Sequence, residues 1–154
     1  MLVFLFFILV VPVFVLLHEI GHGIGALLTS KADIHIYLGQ FSEDNIENFK
    51  LGRFHLHIQW SNVGYAYWGE SLEKHQKIIA LASGPLMSLF LALLFGQLTS
   101  LDLQNELRQF FSLSAIYNFF QFIITIIPIT YPRWMAADEK LSSDGLQIIH
   151  LLRK

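Results

Sequence analysis

Residues 13–28 of the chain read VFVLLHEIGHGIGALL and place two histidines and a glutamate in an otherwise uncharged apolar run. Ionisable groups are expensive inside a membrane helix, and where they occur they usually mark a functional site. The run extends from Leu2 to about Thr29, and a helix needs about 20 apolar residues to cross a bilayer. It lacks a basic N-terminal region and a clean small-residue cleavage site, so we interpret it as a permanent span.

The composition of the chain also indicates a membrane protein. Hydrophobic residues make up 54% of the 154 residues, charged residues only 14%, and the mean hydropathy is +0.51. Further apolar segments at about 78–98 and 110–129 bring the number of expected spans to three. We therefore predict a single domain of the all-α membrane class. A net charge of -2 gives no reason to expect a nucleic-acid partner, and the absence of cysteine excludes disulfides and thiolate metal ligands.

The distribution of basic residues predicts the orientation of the three spans. All ten lysines and arginines except Arg108 lie in the segment between the first two spans or in the C-terminal tail. By the positive-inside rule these two regions are cytoplasmic and the N-terminus lies outside. We expect a multi-pass protein of a prokaryotic cytoplasmic membrane, in contact with the lipid bilayer.

The segment at about 33–68 differs from the spans, because its residues alternate in polarity or are β-branched and aromatic. It predicts a small membrane-associated β-hairpin or sheet, with a turn at 61–62 that joins the strands on either side. In FHLHIQW the apolar side chains share one face, which could rest on the membrane interface, and His55 and His57 lie on the opposite face. This pair could bind metal, but an exposed polar strand face is the favoured interpretation. His150 receives no role.

His18, Glu19 and His22 form the pattern H-E-x-x-H. On a helix the two histidines share one face and can both reach one zinc ion, at about 2.0 to 2.1 Å. Glu19 lies beside that face, where it can accept a proton from a water that zinc has made acidic. The pattern predicts a single zinc ion and the components of a hydrolase.

A catalytic zinc usually has three protein ligands, and without cysteine the third must be a histidine, aspartate or glutamate. The segment at 142–153 contains Asp144 followed by Gly145, on the same predicted side as the end of the first span. The histidines lie about seven to eleven residues from that end, or roughly 10 to 17 Å of helix, so the two parts can meet below the membrane surface. Taken alone, however, an Asp-Gly pair usually marks a turn.

Four motifs in this order give the chain its resemblance to a known family. HEIGH in the first span, SGPLMSL in the second, and IIPI followed by SDGLQI resemble the site-2 protease family of intramembrane zinc metalloproteases, over essentially the whole chain. The resemblance implies that His18, His22 and Asp144 bind zinc and that Glu19 is the general base. It implies a membrane-spanning or membrane-associated protein as the substrate, cleaved in regulated intramembrane proteolysis.

The chain departs from the family pattern at two positions, where Ser88 and Thr125 replace asparagines that are usual in the family. The second asparagine is thought to stabilise the oxyanion. The spacing from Pro128 to Asp144 is also long, which leaves Asp138 and Glu139 as alternative third ligands.

Two helical patterns add further candidates. In the third span polar residues recur every three or four positions and so share one helical face. This face either forms hydrogen bonds to another helix or binds the substrate and its oxyanion. The polar residues are Ser114, Asn118, Gln121 and Thr125, of which the last three are the substrate and oxyanion candidates. In the second span small residues recur every four positions and predict close helix packing. They are Ala80, Gly84, Ser88, Ala92 and Gly96.

These features predict an intramembrane zinc endopeptidase. Cleavage requires an extended substrate backbone, and we expect a substrate strand to add to the edge of the hairpin near Tyr65 or Tyr67. Two alternatives remain open: an inactive zinc-binding protein that binds client helices, and a transport or maturation partner for a small ligand. The minimal core could act alone, as a homo-oligomer or with a regulatory membrane subunit.

Overall fold

The computed structural model describes residues 2–42, 44–69, 72–131 and 142–153. The chain begins with a helix that runs through α1 (Leu2–Leu5), a π-helical turn (Phe6–Val10) and α2 (Val11–Thr29). After a small sheet come α3 (Lys74–Leu98), α4 (Asn105–Ile126) and the short α5 (Asp144–Leu152). The helix α3 packs against both α2 and α4 and so lies at the centre of the bundle.

Among the described residues, three helices are long and apolar enough to cross a membrane: Val3–Thr29, Lys74–Leu98 and Asn105–Ile126. The second begins four residues before the expected start, because Glu73 and Gln76 form a reciprocal capping box that extends it. The third is shifted towards the N-terminus relative to the expected segment. It ends at Ile126 because Ile127 is already extended and Pro128 follows.

In the described part of the chain the sheet has four strands: β1 (Ile34–Leu38), β2 (Phe49–Leu51), β3 (Phe54–Ile58) and β4 (Gly64–Tyr67). Their order is β2-β3-β1-β4, with β1 parallel to β3 and antiparallel to β4. The prediction that a turn at 61–62 joins two paired strands is wrong, because β1 lies between β3 and β4. The link instead crosses the end of β1, where Gln59 N donates to Leu38 O (2.9 Å) and Gly39 N donates to Val63 O (2.7 Å).

The apolar face of the sheet is covered by the first helix. Ile34 and Ile36 pack in a buried cluster with Ala26, and Leu38 packs with Phe14 further along the helix. Of the side chains expected at the membrane interface, Phe54, Leu56 and Ile58 are partly buried against these clusters and Trp60 is exposed, so contact of this face with the interface stays a prediction.

A hydrogen bond extends this contact along the first helix. The indole nitrogen of Trp60 donates to the carbonyl oxygen of Ile8 in the π-helical turn, at 2.7 Å. Ile8 precedes His18 by ten residues, which is about 15 Å of helix. The sheet therefore lies beside much of the length of the first candidate span.

The opposite face of the sheet carries the two histidines of β3, and they are buried. His55 and His57 are only 7% and 8% exposed, so the favoured interpretation as an exposed polar face is wrong. The His35 ring stacks on His55 and the Tyr37 ring stacks on His57, with centroid separations of 4.4 and 4.2 Å. His57 Nδ1 also lies 2.8 Å from Asn45 O in the loop after β1, so neighbouring rings and this loop exclude solvent.

Candidate metal centre

Three side chains converge where α2 meets α5. His18 Nε2 and His22 Nε2 lie 3.2 Å apart, and each is 3.4 Å from Asp144 Oδ2. A tetrahedral ion with ligands at about 2.0 to 2.1 Å holds its ligand atoms about 3.3 to 3.4 Å apart. Within the described ranges, these residues form the only group of three histidine, aspartate or glutamate side chains whose ligand atoms already lie close enough together to hold a metal ion without any movement. We call them the metal triad.

The hydrogen bonds behind the two imidazoles fix their orientation. His22 Nδ1 lies 2.9 Å from the carbonyl oxygen of Ala80, which can only accept, so this nitrogen carries the proton and Nε2 of the neutral ring is bare. His18 Nδ1 lies 2.8 Å from Ser88 Oγ, which can accept in the same way. Two bare nitrogens and a carboxylate then face one another, and a cation between them offsets their repulsion.

The partners of both histidines come from one face of α3. Ala80, Gly84 and Ser88 are four residues apart, and the ring of His22 occupies the space that a Cβ at Gly84 would need. The small-residue pattern predicted close packing, and here it also holds the metal triad in place. The pattern does not extend to Gly96, where a Cβ would meet none of the described residues within 4 Å.

The third member of the triad is positioned by the start of α5. Ser143 Oγ accepts from Leu146 N (3.2 Å) and Ile129 N (3.1 Å), and it donates to Ile127 O (2.7 Å). It therefore caps α5 and ties it to the segment after α4. Gly145 lies against the carbonyl of Ile126, where a Cβ would overlap. The Asp-Gly pair is thus a helix start held against α4.

The charge of Asp144 suits it to bind a cation. Burial alone raises the pKa of its carboxyl, but when His22 and His18 carry the protons that a bound ion would displace, their charge and hydrogen bonds outweigh burial and lower the pKa to about 2. Asp144 is therefore ionised at physiological pH. Asp138 and Glu139, the alternative third ligands, lie outside the described residues.

Glu19 lies beside the metal triad and does not belong to it. Its side chain is 9% exposed and lines the same cavity as His18, His22 and Asp144. The start of β4 packs directly against it: a Cβ at Gly64 would lie 2.5 Å from Glu19 Cγ and 3.0 Å from Oε1. A glutamate that faces the cavity beside the triad can exchange protons with a molecule bound there.

The cavity has a volume of about 450 Å³. One wall is β4 and the two residues after it, at 64–69, and another is α5 with the residues before it, at 142–151. Tyr65 and Tyr67, the predicted substrate contacts, both line the cavity and are 41% exposed. Tyr131 also lines it. Burial and the charges of Asp144 and Glu19 raise the pKa of its phenol to about 12.

The candidates on α4 occupy two different environments. Thr125 lines the cavity, although its hydroxyl donates to Gln121 O of its own helix at 2.9 Å. Asn118 and Gln121 are buried, at 0% and 8% exposure, and neither lines the cavity. The Asn118 amide donates to Ser114 O at 2.8 Å. Of the three substrate and oxyanion candidates, the fold brings only Thr125 to the site.

Sequence reasoning missed several residues that shape the site. Ser88 was recognised as a member of the small-residue pattern and as a departure from the family pattern but not as a partner of His18, and the contributions of Ser143 and Tyr131 were not recognised. The four-residue spacing of Ala80, Gly84 and Ser88 and the serine before Asp-Gly were signals for two of these roles.

Comparison with protein-family models, curated proteins and solved structures gave no match to this chain. The site is therefore interpreted from its own geometry.

Proposed function

We propose that the protein is an intramembrane zinc endopeptidase, as its resemblance to the site-2 protease family implies. The observation that carries the proposal is the metal triad, with separations of 3.2 to 3.4 Å, beside the buried Glu19 in one cavity. Two imidazoles and a carboxylate match the ligands of known hydrolytic zinc sites. The apolar helices that surround the site favour a substrate within the membrane.

The residues of the site divide the reaction between them. Bound zinc supplies Lewis-acid activation of a water molecule and of the scissile carbonyl. Glu19 accepts a proton from the attacking water as the new C–O bond forms. It then donates that proton to the leaving amine as the C–N bond breaks, so the proton count balances over the cycle. Ser88 and the Ala80 carbonyl keep the imidazoles of the triad in place.

The free edge of β4 is the proposed binding site for the substrate backbone. Gly39 N donates to Val63 O, and in an antiparallel pair the residues that bond to the neighbouring strand alternate along the chain. Tyr65 and Tyr67, two and four residues after Val63, therefore bond to β1. The backbone groups of Gly64 and Ala66 then point to the other edge, where no strand formed by the described residues lies beside β4. Because Gly64 contacts Glu19, a strand added there would pass beside the proposed base.

The proposed location follows from the helices and the charges. The three apolar helices cross the cytoplasmic membrane of a prokaryotic cell, with the N-terminus outside and the cavity open towards the cytoplasm. Polar side chains at the cavity wall, Lys77, Gln147 and His150, support access of water from that side. Since the chain has no cysteine, single cysteines at Ser100 and Ser30 can report the orientation by labelling with a membrane-impermeant maleimide.

The test of the chemistry uses the full chain in proteoliposomes with a membrane-spanning peptide that contains helix-destabilising residues. Glu19→Gln is expected to retain one zinc at the triad and to lose cleavage by at least about 100-fold, the usual contribution of a general base. Glu106→Gln, which changes an exposed glutamate of α4, is the matched control and should cleave normally. Equal cleavage by the wild type and Glu19→Gln would refute the proposal. Zinc binding without any Glu19-dependent cleavage would favour a zinc-binding protein that holds client helices.

The test of strand addition compares two proline variants. Ala66→Pro removes an N–H that points to the free edge, so the sheet and zinc binding should survive while cleavage falls about 2- to 10-fold, the effect of one hydrogen bond. Tyr65→Pro removes an N–H that bonds to β1 and should destabilise the sheet. Full activity of a folded Ala66→Pro variant would contradict strand addition at this edge.

A further inference from the structure

Three histidines form a patch on the face of the sheet that points away from α2. His35 lies on β1, and His55 and His57 lie on β3, with His35 directly paired with His55. We call these three residues the histidine patch. It is separate from the metal triad, because none of its members lines the cavity.

Two nitrogens of the patch already have the spacing of metal ligands. His57 Nδ1 lies 2.8 Å from the carbonyl oxygen of Asn45, so this nitrogen carries the proton and Nε2 of the neutral ring is bare. That bare nitrogen lies 3.1 Å from His35 Nδ1. Ligand atoms that share one ion at about 2.0 to 2.1 Å lie about 2.9 to 3.4 Å apart, depending on the coordination geometry.

His55 adds an unpartnered nitrogen to the same patch. Its Nδ1 is paired with the carboxylate of Glu47, an arrangement that fixes the tautomer of many metal-binding histidines and leaves Nε2 bare. Within the described ranges this Nε2 is buried and has no hydrogen-bond partner. A buried acceptor without a donor destabilises the fold, and binding to a cation removes that cost.

The surroundings of the patch allow an ion to enter. His55 and His57 are more than nine-tenths buried, whereas His35 is partly exposed and forms the outer side of the patch. Imidazole nitrogen is a preferred ligand of zinc, copper and nickel, whereas magnesium and calcium prefer oxygen. The chemistry of the patch therefore selects a transition metal.

We propose that the histidine patch is a second metal site, in which His35, His57 and His55 bind one transition-metal ion of the Zn²⁺ class. His35 and His57 already have ligand spacing, whereas the three histidines together do not, so His55 completes the site by a shift of its ring that the partly exposed Glu47 side chain can follow. The ion links β1 to β3 and leaves the chemistry at the metal triad unchanged. Because β1 also holds β4, the second ion stiffens the sheet whose free edge lines the cavity.

The test measures bound metal per chain in detergent-purified full-length protein, by equilibrium dialysis against Zn²⁺ and by the visible spectrum of Co²⁺. The wild type is expected to bind two ions and a His18→Ala/His22→Ala variant one. Adding His35→Ala, His55→Ala or His57→Ala to that variant should remove the remaining ion. His75→Ala, which changes an exposed histidine, is the matched control and should retain it.

Single substitutions in the otherwise wild-type chain keep the test valid if the double variant fails to fold. His35→Ala alone should lower the stoichiometry from two ions to one and leave Glu19-dependent cleavage detectable. One ion in the wild type that is unaffected by His35→Ala and His57→Ala would overturn the second site and leave the protease proposal intact. A single ion that is lost with His35→Ala but retained in His18→Ala would establish the patch and overturn the metal triad.

Discussion

Ser88→Ala tests the orientation of the metal triad most directly. In the fold Ser88 Oγ lies 2.8 Å from His18 Nδ1, and the serine is completely buried. Alanine leaves that nitrogen without a partner and allows the imidazole to rotate. Loss of a residue that orients a metal-binding histidine typically lowers metal affinity about 10- to 100-fold. This range corresponds to about 1.4 to 2.7 kcal/mol of binding free energy.

The assay is competition for Zn²⁺ with a chromophoric chelator in detergent, under conditions in which His35→Ala has removed binding at the histidine patch. Ser114→Ala is the matched control, since Ser114 is also completely buried but donates to Phe110 O of its own helix at 2.8 Å. Both variants lose one buried hydroxyl, so they should unfold at similar temperatures. Only Ser88→Ala should bind zinc more weakly. An unchanged zinc affinity in Ser88→Ala would refute the assignment of Ser88 as the residue that positions His18.

Two further perturbations test other parts of the site. Gly145→Ala puts a Cβ against the Ile126 carbonyl, an overlap that costs about 1 to 3 kcal/mol unless the start of α5 moves. The movement should displace Asp144 and weaken zinc binding at least about fivefold. Gly96→Ala, in open space, should not do so. The phenol of Tyr131 has its pKa raised from 10.0 to about 12, so it stabilises the fold below pH 10 and this contribution disappears as the pH rises through 12. Because a bound dication offsets the nearby carboxylates, zinc should lower this pKa. Ultraviolet titration of the wild type against Tyr131→Phe measures it, and identical curves with and without zinc would contradict a metal near Asp144.

The sequence predicted the helical part of the fold well, because apolar runs of span length leave few alternatives. The first and last residues of the helices differed from the predicted ones where local hydrogen bonds determine them. At the start of α3, for example, the capping box of Glu73 is such a local feature. The order of the strands was predicted incorrectly. A turn at 61–62 suggested a hairpin, whereas the burial of Ile34, Ile36 and Leu38 made β1 the central strand. The periodicity of apolar residues shows which segments form strands, but it does not show whether a local turn or the burial of a strand distant in sequence decides which strands pair.

The candidate site shows the same division. His18, Glu19 and His22 could be predicted because one helix fixes their relative positions, whereas Asp144 was suggested by its predicted side of the membrane and singled out by the resemblance to a family. The polar positions of α4 were harder, since a face that points into the protein need not point into the cavity. Asn118 and Thr125 are seven residues apart, and only Thr125 lines the cavity. Likewise, His35 joined His55 and His57 only through strand pairing.

The long separation between the members of the metal triad has a consequence for biosynthesis. His22 and Asp144 are separated by all of the sheet, α3 and α4, so the ribosome must produce all three apolar helices before the third ligand exists. Until then the nascent chain has only the two histidine ligands, which bind a metal ion with lower affinity than the complete triad. Under the proposed function, the growing polypeptide passes through membrane insertion without proteolytic activity, and neighbouring proteins at the insertion site are not cleaved.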